Sequence, residues 1–359
     1  MLSNSSTPSQ QSMRSTSSSI STLQSNLSLQ TLPSVLSLQK SLSPETLKNL
    51  NVSHHCLFSF RQTHQITCLV VSSNLLYVAS GHEINVFDLN NNTHVSTFND
   101  AQSDSGSVKS ITFSGGKIFT AHQDCKIRVW KFLTAKECNS HKLIATLPTL
   151  NDRLCWFVLP KNYVRVRRHK KQLWIQHSDA VSGVYVNNGL IYSVSWDKCL
   201  KIWRSKDLVC LESVKAHDDA VNSVSADKRI RVWGKGFNDN KKHSLIATLE
   251  KHKSVVNALA LSADGSVLFS GACDRHRGAI LCLINVCDLL VSGSADRTIR
   301  VWQRRGDSQE YCCLAVLEGH EKPVKSLVAV SGGMSEGSVT ICSGSLDGEV
   351  KVWQINCSL

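Results

Sequence analysis

The chain has 359 residues, with 40 Lys and Arg against 28 Asp and Glu for a formal net charge of +12, and it contains 14 Cys, 8 Trp, 19 Gly and 6 Pro. That length suits one large domain or two ordinary ones. No run of roughly 18 apolar residues and no basic-then-apolar leader occurs, which speaks against a helical membrane span and a secretory signal. The expected location is therefore the cytoplasm, the nucleus or both, where the scattered Cys, with no C-x-x-C pair, read as reduced thiols.

Residues 1–44 hold sixteen Ser, no Asp or Glu, and only Arg14 and Lys40 as charges. Such a composition buries too little apolar surface to offset the entropy of ordering, so residues 1–55 are read as a mostly disordered arm. Leu recurs within it at 23, 27, 29, 32, 36, 38 and 42, a candidate docking segment, but Pro33 and Pro44 break any long helix. Thr7-Pro8 and Ser43-Pro44 are short phosphoacceptor patterns of low specificity.

From about Cys56 the pattern changes to short β-branched and aromatic runs punctuated by Gly, Asn, Asp and His. One string recurs as TAHQDCKIRVW (120–130), SVSWDKCLKIW (193–203), SVSADKRIRVW (223–233), SGSADRTIRVW (292–302) and SGSLDGEVKVW (343–353). Each obeys [ST]-x3-D-x5-W, so the Asp falls in a tight turn and the Trp ends the strand that follows. Upstream, a His stands four residues before Val or Ile at His177, His217, His252, His276 and His320. Short apolar strands such as LIATL (143–147 and 245–249) precede the His residues. VASGHEINVF (78–87) is a weaker first repeat, without the Asp and with Phe87 where the others have Trp.

These residues carry a resemblance to the WD40 β-propeller family, whose repeats of about 40 to 45 residues form four-stranded blades around a channel. The fold class expected is all-β, a seven-repeat propeller over residues 56–359. The resemblance also implies a hydrogen-bonded tetrad in each blade, complete here as His177, Ser193, Asp197 and Trp203; as His276, Ser292, Asp296 and Trp302; and as His320, Ser343, Asp347 and Trp353. The repeat of Thr120, Asp124 and Trp130 has no His in the upstream place. It implies further that CLFSF (56–60) supplies the outer strand of the last blade, which closes the ring and removes an open edge.

Two counts are short. His to Asp takes 20 residues in the third and sixth repeats but only 10 from His217 to Asp227, as if an inner strand were missing. Asp to the next His takes 25 residues in the fourth repeat and 24 in the sixth but only 2 from Asp274 to His276, as if the Trp-bearing and outer strands were missing. Blades four and five are therefore expected to be incomplete, as two clean deletions would leave them. A truncated splice form or a gene-model artefact with impaired binding would have this pattern.

Between the second and third repeats lies an insertion at about 148–176. Six of the eleven residues from 161 to 171 are basic: Lys161, Arg165, Arg167, Arg168, Lys170 and Lys171. Alternation through Tyr163–Arg167 suggests a protruding β-hairpin. An acidic protein surface or an import receptor suits such a stretch, and the plain alternative is a solvated basic hairpin. Nucleic acid is disfavoured because interleaved aromatics are few. The Ser/Leu-rich arm, the insertion and the repeats together resemble the plant Jingubang-like WD40 proteins, a group that implies a regulatory interaction protein without catalytic residues.

No Gly-rich phosphate loop or HExxH occurs, and no catalytic, cofactor-binding or metal residue is assigned. The expected function is a non-enzymatic protein-interaction scaffold, probed through propeller loops and insertion, in a monomeric ring with no membrane. A substrate adaptor of a cullin-type ubiquitin ligase is the alternative, disfavoured because no repeat ends in Trp-Asp: the pairs are Trp130-Lys131, Trp203-Arg204, Trp233-Gly234, Trp302-Gln303 and Trp353-Gln354.

Overall fold

The computed structural model describes residues 28–30, 51–99, 103–134, 139–168, 170–221, 228–235, 242–273, 278–304, 310–330 and 338–358. His276, Ser223, Asp227, Asp274, most of the Leu-rich arm and both phosphoacceptor patterns lie outside them.

The strands run in chain order. After β1 (Ser28–Gln30) and β2 (Asn51–Arg61), blade one is β3 (Ile66–Ser72), β4 (Leu75–Ser80), β5 (Glu83–Asp88) and β6 (Thr93–Phe98). Blade two is β7 (Val108–Ser114), β8 (Lys117–His122), β9 (Ile127–Thr134) and β10 (Asn139–Leu147). The insertion holds helix α1 (Leu150–Phe157) and a hairpin of β11 (Tyr163–Arg167) and β12 (Lys170–Leu173). Blade three is β13 (Val181–Asn187), β14 (Leu190–Ser195), β15 (Cys199–Arg204) and β16 (Cys210–Lys215). Blade four has β17 (Ile230–Lys235) and β18 (His243–Leu249), and blade five has β19 (Val256–Leu261) and β20 (Val267–Ala272). Blade six is β21 (Ile280–Val286), β22 (Leu289–Ser294), β23 (Ile299–Arg304) and β24 (Tyr311–Leu317). Blade seven starts with β25 (Val324–Ala329), β26 (Ser338–Ser345) and β27 (Glu349–Ser358).

The architecture is all-β, with WD40-like blades of which the fourth and fifth are incomplete. Among the described residues five sheets have four antiparallel strands, while β17–β18 stands alone and β19–β20 is joined only by β1. Among the described residues blade four has its outer pair alone, one strand fewer than the count from His217 suggests, and blade five has its inner pair. Strand β1 pairs in parallel with β20, Ser28 to Val267 through Gln30 to Phe269, along the edge that the third strand of a full blade would occupy.

Blade seven takes its fourth strand from the other end of the chain. β2 runs antiparallel to β27, with Asn51 opposite Ser358 and Arg61 opposite Glu349. Beyond it, the β26–β27 turn meets the chain leaving β2. Gly348 sits there at φ +85°, where an added Cβ would lie 2.6 Å from the Gln62 carbonyl oxygen, so a side chain has no room. Gln62 N–H donates to the Gly348 carbonyl at 2.7 Å.

Apolar residues on alternate strand positions form one cluster per blade junction. Between blades six and seven they include Val291, Ile299, Val301, Val324, Ile341 and Trp353. Between seven and one they include Ile66, Leu69, Val78, Cys342 and Val350, with Phe58 and Phe60 of β2 packed on them. The three–four and four–five junctions are thin, with Leu200, Ile202 and Ala216 beside Trp233 in the first and Ile230 with Val256 in the second, whereas five–six keeps Phe269, Leu283, Leu290 and Trp302.

Candidate functional site

Each repeat turn places its Asp before a residue in the left-handed region, namely Cys125, Lys198, Arg297 and Gly348. That turn aims the carboxylate at the blade's own strands. In blade three His177 Nδ1 lies 2.9 Å from Asp197 Oδ2 and His177 Nε2 2.9 Å from Ser193 Oγ, while Trp203 Nε1 donates to Ser193 Oγ at 2.9 Å. Burial alone would raise the Asp197 carboxyl, but His177 and the N–H groups of Ser178 and Cys199 outweigh it and hold it at about 2. The His177 imidazole is lowered by burial against the pull of Asp197. This is a closed network with every member satisfied, and it leaves no free nucleophile.

The other sets differ. In blade seven His320 Nε2 meets Ser343 Oγ at 2.7 Å and Trp353 donates to it at 2.8 Å. Asp347 there accepts from the Glu349 and Glu321 N–H groups instead, and His320 Nδ1 finds no hydrogen-bond partner. Ligand atoms of His320, Asp347 and Glu349 lie within 4.8 Å of one another, but the Lys351 ammonium sits 2.7 Å from Glu349 and supplies the positive charge itself. In blade six Trp302 donates to Ser292 at 2.8 Å, Asp296 binds Thr298, and His276 lies outside the described residues.

Blade two has a His that the spacing rule passes over. His122, two residues beyond Thr120 on the same strand, puts Nε2 2.7 Å from Thr120 Oγ1, to which Trp130 donates at 2.9 Å. Burial, and then Arg128, push its pKa down to about 3. Asp124, without an upstream His to meet, is held by both guanidinium nitrogens of Arg128. In blade five His252 still meets Ser270 at 2.7 Å. In blade four the Trp233 indole N–H is buried with no partner among the described residues.

The inner strands surround a central cavity of about 500 Å³. The six described ones, β3, β7, β13, β19, β21 and β25, each carry a β-bulge near their start. The bulged residues Thr67, Lys109, Ser182, Asn257, Leu281 and Lys325 line that cavity. Some also tie one blade to the next: Thr67 donates to the Val108 carbonyl at 2.5 Å, Asn257 to that of Ile280 at 3.2 Å, and Ser182 to that of Val221. Lys109 stands 5.7 Å from the Trp196 ring, and burial followed by the nearby Lys325 lowers its pKa.

The insertion packs on blades two and three, with Trp156, Tyr163 and Trp174 against their shared apolar cluster. Thr149 caps α1 through a reciprocal box with Asp152, which is buried, and Trp156 meets Trp174 edge-on at 5.3 Å between centroids. Asn162, also buried, fastens the loop by donating to the Trp156 carbonyl at 2.9 Å. The hairpin pairs Tyr163 with Leu173, Arg165 with Lys171 and Arg167 with Lys170. Lys161, Arg165, Arg168 and Lys171 are exposed, and among the described residues none of the four has an ion-pair partner. The hairpin expected from alternation is present; the helix before it was not expected.

The chain resembles several known proteins. The model of the WD domain, G-beta repeat family (WD40), matches residues 169–204, 243–276, 274–303 and 311–354. Nuclear distribution protein nudF 1 of Talaromyces marneffei is 24% identical over 192 residues, covering 50% of this chain and 40% of that protein. Ribosome biogenesis protein YTM1 of Eremothecium gossypii is 26% identical over 204 residues, covering 51% and 44%. The chain thus spans less than half the length of these relatives. The crystal structure of the RRP9 WD40 repeats superposes with a TM-score of 0.60 at 17% identity, over 86% of this chain and 98% of that one. That likeness supports the propeller fold alone. Among the described residues no helix is long and apolar enough to cross a membrane.

Proposed function

We propose that this WD40-repeat protein is a non-enzymatic interaction scaffold of a regulatory kind, holding other proteins through its propeller loops and through the basic insertion. The observation that carries the reading is the hairpin: Arg165 and Lys171 are exposed, opposite each other, and lack carboxylate partners among the described residues. Like charges directly opposite on a hairpin are unfavourable by themselves and favourable once an acidic surface lies across them. The names of the relatives, nuclear distribution and ribosome biogenesis proteins, describe no reaction, which suits a scaffold working in cytoplasm or nucleus. The likeness of arm and insertion to the Jingubang-like plant group points to regulation. The ring is taken as monomeric, without cofactor, metal or nucleic acid.

Affinity capture with the wild-type chain and with the Arg165→Glu, Lys171→Glu double variant tests this. Stable partners lost on charge reversal are expected, and an identical partner set from both would overturn the role of the insertion. Recovery of a cullin core would move the reading to the ligase adaptor. The half-blades at four and five favour one further reading, a shortened splice form with impaired binding. Sequencing the transcript across residues 217–227 and 274–276 checks it: reads that run straight through both junctions are required for it, and reads containing the missing strands exclude it.

A further inference from the structure

The insertion carries an apolar surface beside its charge. On α1, Leu150, Leu154 and Phe157 stand at i, i+4 and i+7, so they share one face of the helix. That face points to solvent: the three are 75%, 69% and 66% exposed, and Val158 continues it at 76%. A short helix ordinarily turns such a stripe inward, whereas α1 turns Asp152 and Trp156 inward and leaves the stripe outside. Next to it a groove of about 450 Å³ opens between the helix and the hairpin, with Leu154, Phe157, Tyr163 and Leu173 forming its apolar part and Arg153 and Lys171 its basic edge. Arg165 adds to that edge, since its place on β11 is two residues from Tyr163 and therefore on the same face.

We propose that this stripe and groove form the docking site for an acidic amphipathic helix of a partner protein, whose apolar residues fill the groove while its carboxylates meet Arg153, Arg165 and Lys171. The proposal rests on the scaffold reading above and specifies the partner's chemistry. Charge complementarity selects the occupant. Residues 1–44 of the chain's own arm contain no Asp or Glu, and a second copy would bring the same cations. A lipid surface could satisfy the charge, but it is flat and leaves a concave groove unfilled, whereas side chains projecting from a helix fit it.

The test uses the full chain and a fluorescent peptide of about 18 residues, helical by composition, with Leu at i, i+3, i+4 and i+7 and Glu on the remaining face. A control peptide carries Lys in place of Glu. Anisotropy titrations are expected to show binding of the Glu peptide only, about tenfold weaker with Leu154→Ala, Phe157→Ala and about tenfold weaker with Arg165→Glu. All three positions are exposed and Ala favours helix, so unchanged melting temperatures are expected to accompany the loss. Equal binding of the two peptides, or binding indifferent to the Leu154 and Phe157 changes, overturns the proposal. So does Leu154-dependent recruitment to phosphatidylserine-containing vesicles without binding of the Glu peptide, which would assign the surface to lipid. Partners captured from cells that depend on Arg165 but not on Leu154 or Phe157 would leave the scaffold reading standing and remove this one.

Discussion

Blades six and seven and blades four and five are built from the same repeat, yet they hold together differently. At the six–seven junction two four-stranded sheets bury Val291, Val301, Ile341, Trp353 and their neighbours. At the four–five junction the β17–β18 pair and the β19–β20 pair share two buried side chains, Ile230 and Val256, and leave Leu245, Ile246 and Leu261 exposed. The hydrogen bonding follows the packing: Trp302 and Trp353 each donate to a Ser on the strand beside them, whereas among the described residues the indole of Trp233 has no such acceptor. A blade is thus a cooperative unit in which the second strand supplies the hydroxyl for the third and the apolar face for its neighbour. Half a blade keeps a place in the ring but contributes much less to its cohesion.

The largest effect expected concerns the complete side. Deleting residues 51–61 removes the outer strand of blade seven and opens Phe58 and Phe60 off the seven–one junction. Circular dichroism on heating is expected to lose its single cooperative transition. Retention of a sharp transition at the same temperature would mean that the closing strand contributes no more than the half-blades do.

Next comes a paired comparison of tryptophans. Trp203→Ala leaves a cavity and strands Ser193 and His177, for an expected loss of about 3 to 5 kcal/mol in urea unfolding. Trp233→Ala removes a half-buried ring with no indole hydrogen bond among the described residues, so about 1 kcal/mol is expected. Equal losses would break the contrast between full and partial blades.

Acid sensitivity belongs to the complete side as well. His122 titrates at about 3 in the fold against an ordinary value near 6.5, so the unfolded chain takes up the proton first as pH falls. Stability from this group is full above about pH 6.5 and declines toward pH 3, by at most about 2 kcal/mol on reaching pH 5. The depressed Asp197 carboxyl adds a separate loss that starts only below about pH 4 and runs to about 2. His122→Gln, measured by urea unfolding at several pH values, is expected to make the upper limb shallower, with His141, His177 and His320, each also lowered by burial, keeping the remainder, and to leave the lower one. A profile unchanged by the substitution would place the acid response elsewhere.

The smallest effect is expected at the half-blade edge. Removing residues 1–44 takes away β1, whose three residues pair with β20, and should cost about 1 kcal/mol, read as faster amide exchange in β19 and β20 with little change in blade six. Exchange in blade six rising equally would make the edge strand a support of the whole ring.

Much of the fold was legible because the turn chemistry is so regular. Asp followed by a left-handed residue, then alternating apolar positions and Trp, can be counted in one sequence, and the short counts at His217 and Asp274 located the incomplete blades. Blade one was faint for a physical reason: Val78 stands on β4 where blade three has Ser193, so no hydroxyl, Asp or Trp marks it and only packing does. His122 was missed because the rule looks upstream, whereas this imidazole reaches Thr120 along its own strand. The candidate site was half legible. Consecutive cations announce themselves, but the stripe of Leu150, Leu154 and Phe157 spans two turns of a helix whose eight residues are too few for periodicity to stand out from the surrounding strands.

The clasp between β2 and β27 also sets an order in time. Cys56 pairs with Trp353, so the first strand of the ring to leave the ribosome waits for the last one before it finds its place. Until then blades one to six can assemble one after another from local hairpins, but the ring stays open, with apolar faces of the first and last blades unmatched. Folding of the final blade therefore joins strands of very long sequence separation, and the interval before it is when the nascent chain most needs protection from aggregation.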